Sequence, residues 1–94
     1  DLIDAVLLAL DRDAARRKKA AELQALRDRY ERLSAREREV LCRVVEGITN
    51  KDIATELGIS EITVKVHRGQ AMDKMQASSL TALVRMADKL TQSS

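Results

Sequence analysis

The chain contains a single histidine, His67, and a single cysteine, Cys42. His67 has no acid–base constellation around it, no glycine-rich phosphate loop is present, and nothing near Cys42 is arranged to activate a thiolate. One cysteine makes no internal disulfide, and with one histidine it falls short of a zinc site. No enzyme, metal centre or cofactor is therefore expected. What the chain does concentrate is hydrogen-bond donors: Asn50, Lys51, Ser60, Thr63, Lys65, His67, Arg68 and Lys74 crowd into one stretch. Ammonium, guanidinium and hydroxyl groups so gathered suit the phosphates and base edges of a nucleic acid.

Bulk charge does not supply that chemistry. With 17 Lys+Arg against 15 Asp+Glu the net charge is only +2. Residues 1–33 hold 8 basic and 7 acidic side chains, and residues 34–94 hold 9 and 8, so each part carries +1. A basic field for non-specific binding is excluded, and any anion contact must come from placement. The absence of Pro, Trp and Phe, beside 45% apolar residues, favours helices over a β-sandwich. No apolar run approaches the ~18 residues of a membrane span. Residues 2–10 are broken by Asp4 and lack the basic start of a signal peptide. The unpaired cysteine fits a reducing compartment. The expectation is a cytoplasmic, all-α domain with no membrane partner.

Placement needs rigid elements, and residues 34–94 read as four short helices. Ser34-Ala35-Arg36-Glu37 is a capping box. The helix behind it buries Val40, Leu41, Val44 and Val45 and stops at Gly47. Thr49 or Asn50 caps residues 51–57, which end at Gly58, suited to a left-handed turn. Ser60 opens a helix to about Met75, and Ser78 or Ser79 opens another with Leu80, Leu83, Val84, Ala87 and Leu90 along one stripe. Within this set, Ile53-Ala54-x-x-Leu57-Gly58-Ile59-Ser60-x-x-x-Val64 has the makings of a helix–turn–helix. Two helices crossing steeply need a small residue where they touch (Ala54) and a turn residue tolerating positive φ (Gly58). They also need aliphatic side chains to fill the wedge, here Ile53, Leu57, Ile59 and Val64.

The wider string runs Leu33-Ser34-x-Arg36-Glu37-x-x-Val40-Leu41, Gly47-x-x-Asn50-Lys51-x-Ile53-Ala54, Leu57-Gly58-Ile59-Ser60-x-x-Thr63-Val64-Lys65-x-His67, Lys74-Met75 and Leu83-Val84-Arg85. It resembles the four-helix DNA-binding domain of the LuxR/NarL/FixJ family, closest in style to FixJ-type response regulators, without a gap over residues 33–90. Residues 1–10 resemble the end of the last helix of a receiver domain, which would leave 11–32 as a linker helix and 33–94 as the DNA-binding domain. The resemblance implies a bacterial, nucleoid-associated transcription regulator acting in a two-component phosphorelay. Its partners would be double-stranded promoter DNA and RNA polymerase, and its receiver, served by a sensor kinase, would lie outside this chain.

The helix after Gly58 should lie in the major groove with its N-terminal half at the bases. Val64, Ala71 and Met75 set its buried face, so Glu61, Ile62, Lys65, Val66, Gly69 and Gln70 face the DNA. Lys65 suits guanine O6 and N7, and Val66 a thymine methyl, with Ile62 and Gly69 beside them. The resemblance points to Lys65 and Val66 as well. Lys65 also suits a phosphate, since a lysine lacks arginine's fork. Gly69 costs ~1 kcal/mol inside a helix; it marks either close approach to DNA or a tolerated weak spot. Asn50 and Lys51 stand at a helix N-terminus that favours anions. Ser60 and Thr63 donate hydroxyls, and Arg68 and Lys74 flank them as phosphate clamps. His67 reads as a half-buried packing residue bonded to phosphate or backbone, and Cys42 has no assigned role.

Residues 1–33 form one helical pattern whose apolar face, Leu2, Ile3, Val6, Leu7 and Leu10, gives way to the run Arg16-Arg17-Lys18-Lys19. That run reads as a solvated face rather than a DNA-binding arm. Leu23, Leu26, Tyr30 and Leu33 then recur at heptad spacing over two heptads, too few for a stable coiled coil but enough for weak pairing. This polar middle should add little to the core. A single module touches too few base pairs to find a site, so a homodimer on an inverted repeat is expected. Val84 and Met86, beside Leu83, extend the apolar surface of the last helix sideways, and the resemblance also puts the dimer contact there; Leu23, Leu26 and Tyr30 would assist. Two rivals stand against this reading. Region 4 of a sigma factor resembles residues 33–64 but normally ends soon after its recognition helix, and a purely helical protein-dimerisation module would not bind DNA in a salt-dependent way.

Overall fold

The structure is a computed structural model that describes residues 2–92, with side chains described for residue 3 and residues 12–92. Five helices follow one another: α1 (Leu2–Glu31), α2 (Ala35–Val45), α3 (Asn50–Leu57), α4 (Glu61–Met75) and α5 (Leu80–Gln92). No strand occurs among the described residues, and the all-α architecture matches the composition. The 30 residues of α1 span ~45 Å and draw the molecule out to 64 × 23 × 21 Å. Of its N-terminal apolar face, Leu2, Val6, Leu7 and Leu10 lie outside the described side chains. No helix among the described residues is long and apolar enough to cross a membrane.

The helix ends follow from local chemistry. Ser34 Oγ accepts from the Glu37 amide at 3.1 Å while Glu37 Oε1 accepts from the Ser34 amide at 2.9 Å, closing the capping box. Gly47, at φ +86°, ends α2: its amide donates to Val44 and the next to Arg43, which satisfies carbonyls the helix leaves open. Thr49, rather than Asn50, caps α3. Ser79, rather than Ser78, caps α5 through the Ala82 amide at 3.1 Å. The end of α4 carries no glycine. Gln76 adopts φ 57° there, a conformation costing a non-glycine residue roughly 1–2 kcal/mol.

The core is supplied by α2 to α5 together. Val40, Ile53, Val64, Ala71 and Leu83 are each 0% exposed, and Met75 is 1%; burying an aliphatic side chain of this size contributes ~1.5–3 kcal/mol. Two expectations need correction here. Leu83, read as part of a dimer contact, is wholly inside the core, because α5 packs on α1 and α2 and turns that position inward. Three of the four heptad positions are likewise spent within the chain: Leu26 and Leu33 are buried, and Tyr30 packs against the core, while Leu23 is half-buried. The last third of α1 therefore joins the bundle, touching α4 and α5, instead of standing clear of it. Arg38 fixes the junction, with its guanidinium 4.8 Å from the Tyr30 ring centroid and Nη2 donating to the Glu31 carbonyl. Leu80, expected on the inward stripe, is 43% exposed, since it opens α5 ahead of the first turn that meets the core.

Candidate nucleic-acid interface

α3, the turn at Gly58 and α4 form the helix–turn–helix. Gly58 takes φ +68° and the Ile59 amide donates back to the Ala54 carbonyl at 3.0 Å. Ala54 is buried where the helices meet, and a larger side chain would push them apart. Ser60 starts α4: its Oγ accepts from the Thr63 amide at 3.1 Å and lies 2.8 Å from Thr63 Oγ1. The two hydroxyls thus engage each other at the rim of the helix and remain near its open amides.

Burial of Val64, Ala71 and Met75 turns the rest of α4 outward. Glu61, Ile62, Lys65, Val66, Gly69 and Gln70 are all exposed. Ile62 is 74% and Val66 50% exposed, unusual values for large aliphatic side chains and concentrated on one face. A Cβ placed at Gly69 meets nothing within 4 Å, so the fold itself does not require glycine there. This face presents donors, two aliphatic side chains and bare backbone side by side, the mixture that reads base edges and methyl groups.

Asn50 and Arg68 are joined across the motif, Arg68 Nη1 donating to Asn50 Oδ1 at 3.1 Å. Lys51 is exposed beside them. The Asp52 amide is taken by Thr49 Oγ1, while the first two amides of α3 precede the helical ladder. Asn50, Lys51 and Arg68, three of the side chains expected to hold phosphate, are thereby brought together from two helices. His67 is half-buried as expected, and its buried Nδ1 has no hydrogen-bond partner among the described residues.

Lys74, expected among the phosphate clamps, is engaged within the chain. Its Nζ lies 2.6 Å from Glu37 Oε1 and 3.2 Å from Oε2, tying the end of α4 to the capping box of α2. Glu37 is 2% exposed. Its carboxyl is held below the usual carboxylate range, chiefly by the hydrogen bond from Lys74 and then by the Ser34 amide, with burial opposing both. Lys74 thus tethers the end of α4 to α2. Sequence reasoning assigned Glu37 to the cap alone; nothing local signals a partner so distant in the chain. A second tether, Arg43 Nε to Glu56 Oε2 at 2.7 Å, links α2 to α3. A pocket of about 490 Å³ between α1, α2, α5 and the end of α4 is lined by Tyr30, Leu41, Cys42 and Met75 among others, and none of the outward residues of α4 reaches it.

Residues 31–87 match the family described as bacterial regulatory proteins, luxR family. The chain belongs to this family. The luxR match reaches well into α5, beyond the recognition helix where a sigma-factor region would end. Among relatives, the chain is 46% identical over 90 residues to Nodulation protein W of Bradyrhizobium diazoefficiens, covering 96% of this chain and 40% of that protein. It is 45% identical over 86 residues to the transcriptional regulatory protein FixJ of Rhizobium meliloti, covering 92% and 42%. Its structure is similar to that of response regulator StyR, with a TM-score of 0.87 at 41% identity over 94% of this chain and 44% of that one. The chain spans about two fifths of the length of the curated relatives it matches. A luxR-family domain is a regulatory module rather than an enzyme.

Proposed function

We propose that this chain binds double-stranded promoter DNA sequence-specifically, as the output part of a two-component response regulator. The observation that carries the reading is the outward face of α4, where Ile62, Lys65, Val66 and Gly69 stand exposed behind a helix–turn–helix packed on a closed core. In this reading α4 enters the major groove, Lys65 and Val66 contact base edges, and Asn50, Lys51, Ser60, Thr63 and Arg68 hold phosphates. Lys74 keeps α4 in place through Glu37, and its side chain, 41% exposed, adds positive charge facing the same backbone.

Residues 1–10 would end a receiver domain, 11–32 link it, and 33–94 bind DNA. The length of the relatives beyond this stretch supports a further domain served by a sensor kinase. Two copies would meet on an inverted repeat through α5, where Val84 and Met86 are half-buried and Leu83 is not available. Contact with RNA polymerase follows from the regulatory role.

Selection of bound duplexes from a random pool tests the whole reading. Enriched inverted half-sites about one helical turn apart are expected; no enrichment would overturn it. On the enriched duplex, Lys65→Ala should cost ~1–3 kcal/mol and relax one base pair. Lys51→Ala should weaken enriched and random duplexes alike and lower the salt slope by ~1. Equal losses on both duplexes for Lys65→Ala would make it a phosphate ligand.

A further inference from the structure

We infer that Ile62 is a specificity residue that reads a second thymine methyl, so that α4 recognises a pair of C5-methyl groups through an apolar stripe made by Ile62, Val66 and Gly69. The inference rests on the docking of α4 proposed above and goes further by naming the chemistry it selects. Ile62, Val66 and Gly69 are spaced four and three residues apart, which places them on one line of the helix surface. Ile62 is 74% and Val66 50% exposed, and neither belongs to the core or packs against it. Leaving two β-branched side chains in water brings no stability to the free protein. They regain it only against another apolar surface.

The surface that the major groove offers for this is the thymine methyl. Lys65 lies three residues from Ile62 and borders the stripe, so the stripe is continuous with the polar part of the same face, and Glu61, four residues before Lys65, stands on that same edge beside Ile62. The carboxylate disfavours phosphate near Ile62 and leaves base edges as the fitting neighbours. Gly69 closes the stripe with open space, so no side chain holds the helix off the groove wall beyond Val66. Four residues of helix advance ~6 Å and a base pair ~3.4 Å, so the two methyls belong to thymines about two base pairs apart. Each methyl contact of this kind is worth about a fourfold change in affinity.

The test uses the full chain and the duplex enriched from the random pool, remade with deoxyuridine in place of each thymidine in turn. Deoxyuridine keeps every hydrogen-bonding group and removes only the methyl. Wild-type affinity should fall about fourfold at two positions about two base pairs apart in each half-site. Ile62→Ala should lose sensitivity at one of them and keep it at the other, and Val66→Ala should show the converse. Circular dichroism confirms that each variant is folded. Tight binding to the enriched duplex with no uridine-sensitive position that Ile62→Ala abolishes would overturn the methyl reading while leaving major-groove docking intact. Failure to bind any duplex, with Ile62 instead shielded by a protein partner, would overturn both.

Discussion

The two faces of α4 carry the same kinds of side chain and put them to opposite uses. Inward, Val64 and Ala71 are 0% exposed and Met75 is 1%, sealed on the side of α4 that packs against α1, α2 and α3. Outward, Ile62 and Val66 are as apolar as these and stand in water. A helix hydrophobic on both sides is normally buried on both, yet here one side has no covering element among the described residues. What separates the faces is phase: residues 64, 71 and 75 fall on one line, residues 62, 66 and 69 on another. The lesson is that apolar content marks a surface meant for contact, and only the packing shows whether the contact is made within the chain.

The largest effect should come from cutting the same class of side chain from each face in turn. Met75→Ala removes a buried side chain that the core cannot readily refill, at a cost of ~2–5 kcal/mol. Ile62→Ala deletes a side chain of similar size and should change stability by no more than ~0.5 kcal/mol. Urea unfolding of both variants gives the comparison directly. Similar losses would mean that Ile62 is packed in solution, and the distinction between the faces would collapse.

The next effect sharpens the inward side, where Lys74 adds an ion pair to the aliphatic contact. Glu37→Gln keeps an acceptor for the Ser34 amide, and glutamine serves a capping box as well as glutamate, but it removes the charge facing Lys74. A fully buried pair broken on one side costs ~3–5 kcal/mol. The Lys74 side chain is 41% exposed, so solvent screening brings the expected loss down to ~1–3 kcal/mol at neutral pH. Because the folded state holds the Glu37 carboxyl below its ordinary value, its contribution is complete above the unfolded value of about 4.3. It fades as pH falls through that value towards the folded one. Unfolding midpoints measured from pH 7 down to pH 3 should therefore converge for wild type and Glu37→Gln. Parallel curves would show that the pair does not tether α4.

These contrasts also define what the sequence discloses. Caps and turns were legible because their chemistry is local: Ser34 with Glu37, Gly47, Gly58 and Ser60 each act on amides or carbonyls within a turn of themselves. The outward face of α4 was legible for the same reason, since its buried positions fix the phase of the rest. Long-range choices were not. A heptad such as Leu23, Leu26 and Tyr30 serves a second copy or the chain's own bundle equally well, and only the path of α1 across α4 and α5 decides. Leu83 beside Val84 is one step of 100° from the surface, and a shift in how α5 lies on the core moves it from seam to centre. Lys74 has a local reading as a clamp, and its partner Glu37 is brought near only by tertiary packing. The left-handed end of α4 at Gln76 bears no sequence mark, because the usual glycine is absent.

The smallest effect concerns the outward side alone and turns on opposite signs. Gly69 lies in the interior of α4, where replacing glycine by alanine stabilises an exposed helix by ~1 kcal/mol. The added Cβ meets nothing within 4 Å, so no clash offsets the gain, and the melting temperature of Gly69→Ala should rise by ~4–8 °C. If α4 seats closely in the groove at this point, the same methyl group intrudes on the DNA and affinity for the enriched duplex falls while stability rises. The affinity loss should be confined to that duplex, because random sequence is held mainly through phosphates, away from this face. Thermal unfolding and duplex titration on one preparation measure both quantities. A variant that is more stable and binds as tightly as wild type would make Gly69 a tolerated weak spot. The outward face would then be read through Ile62, Lys65 and Val66 without close approach of the backbone.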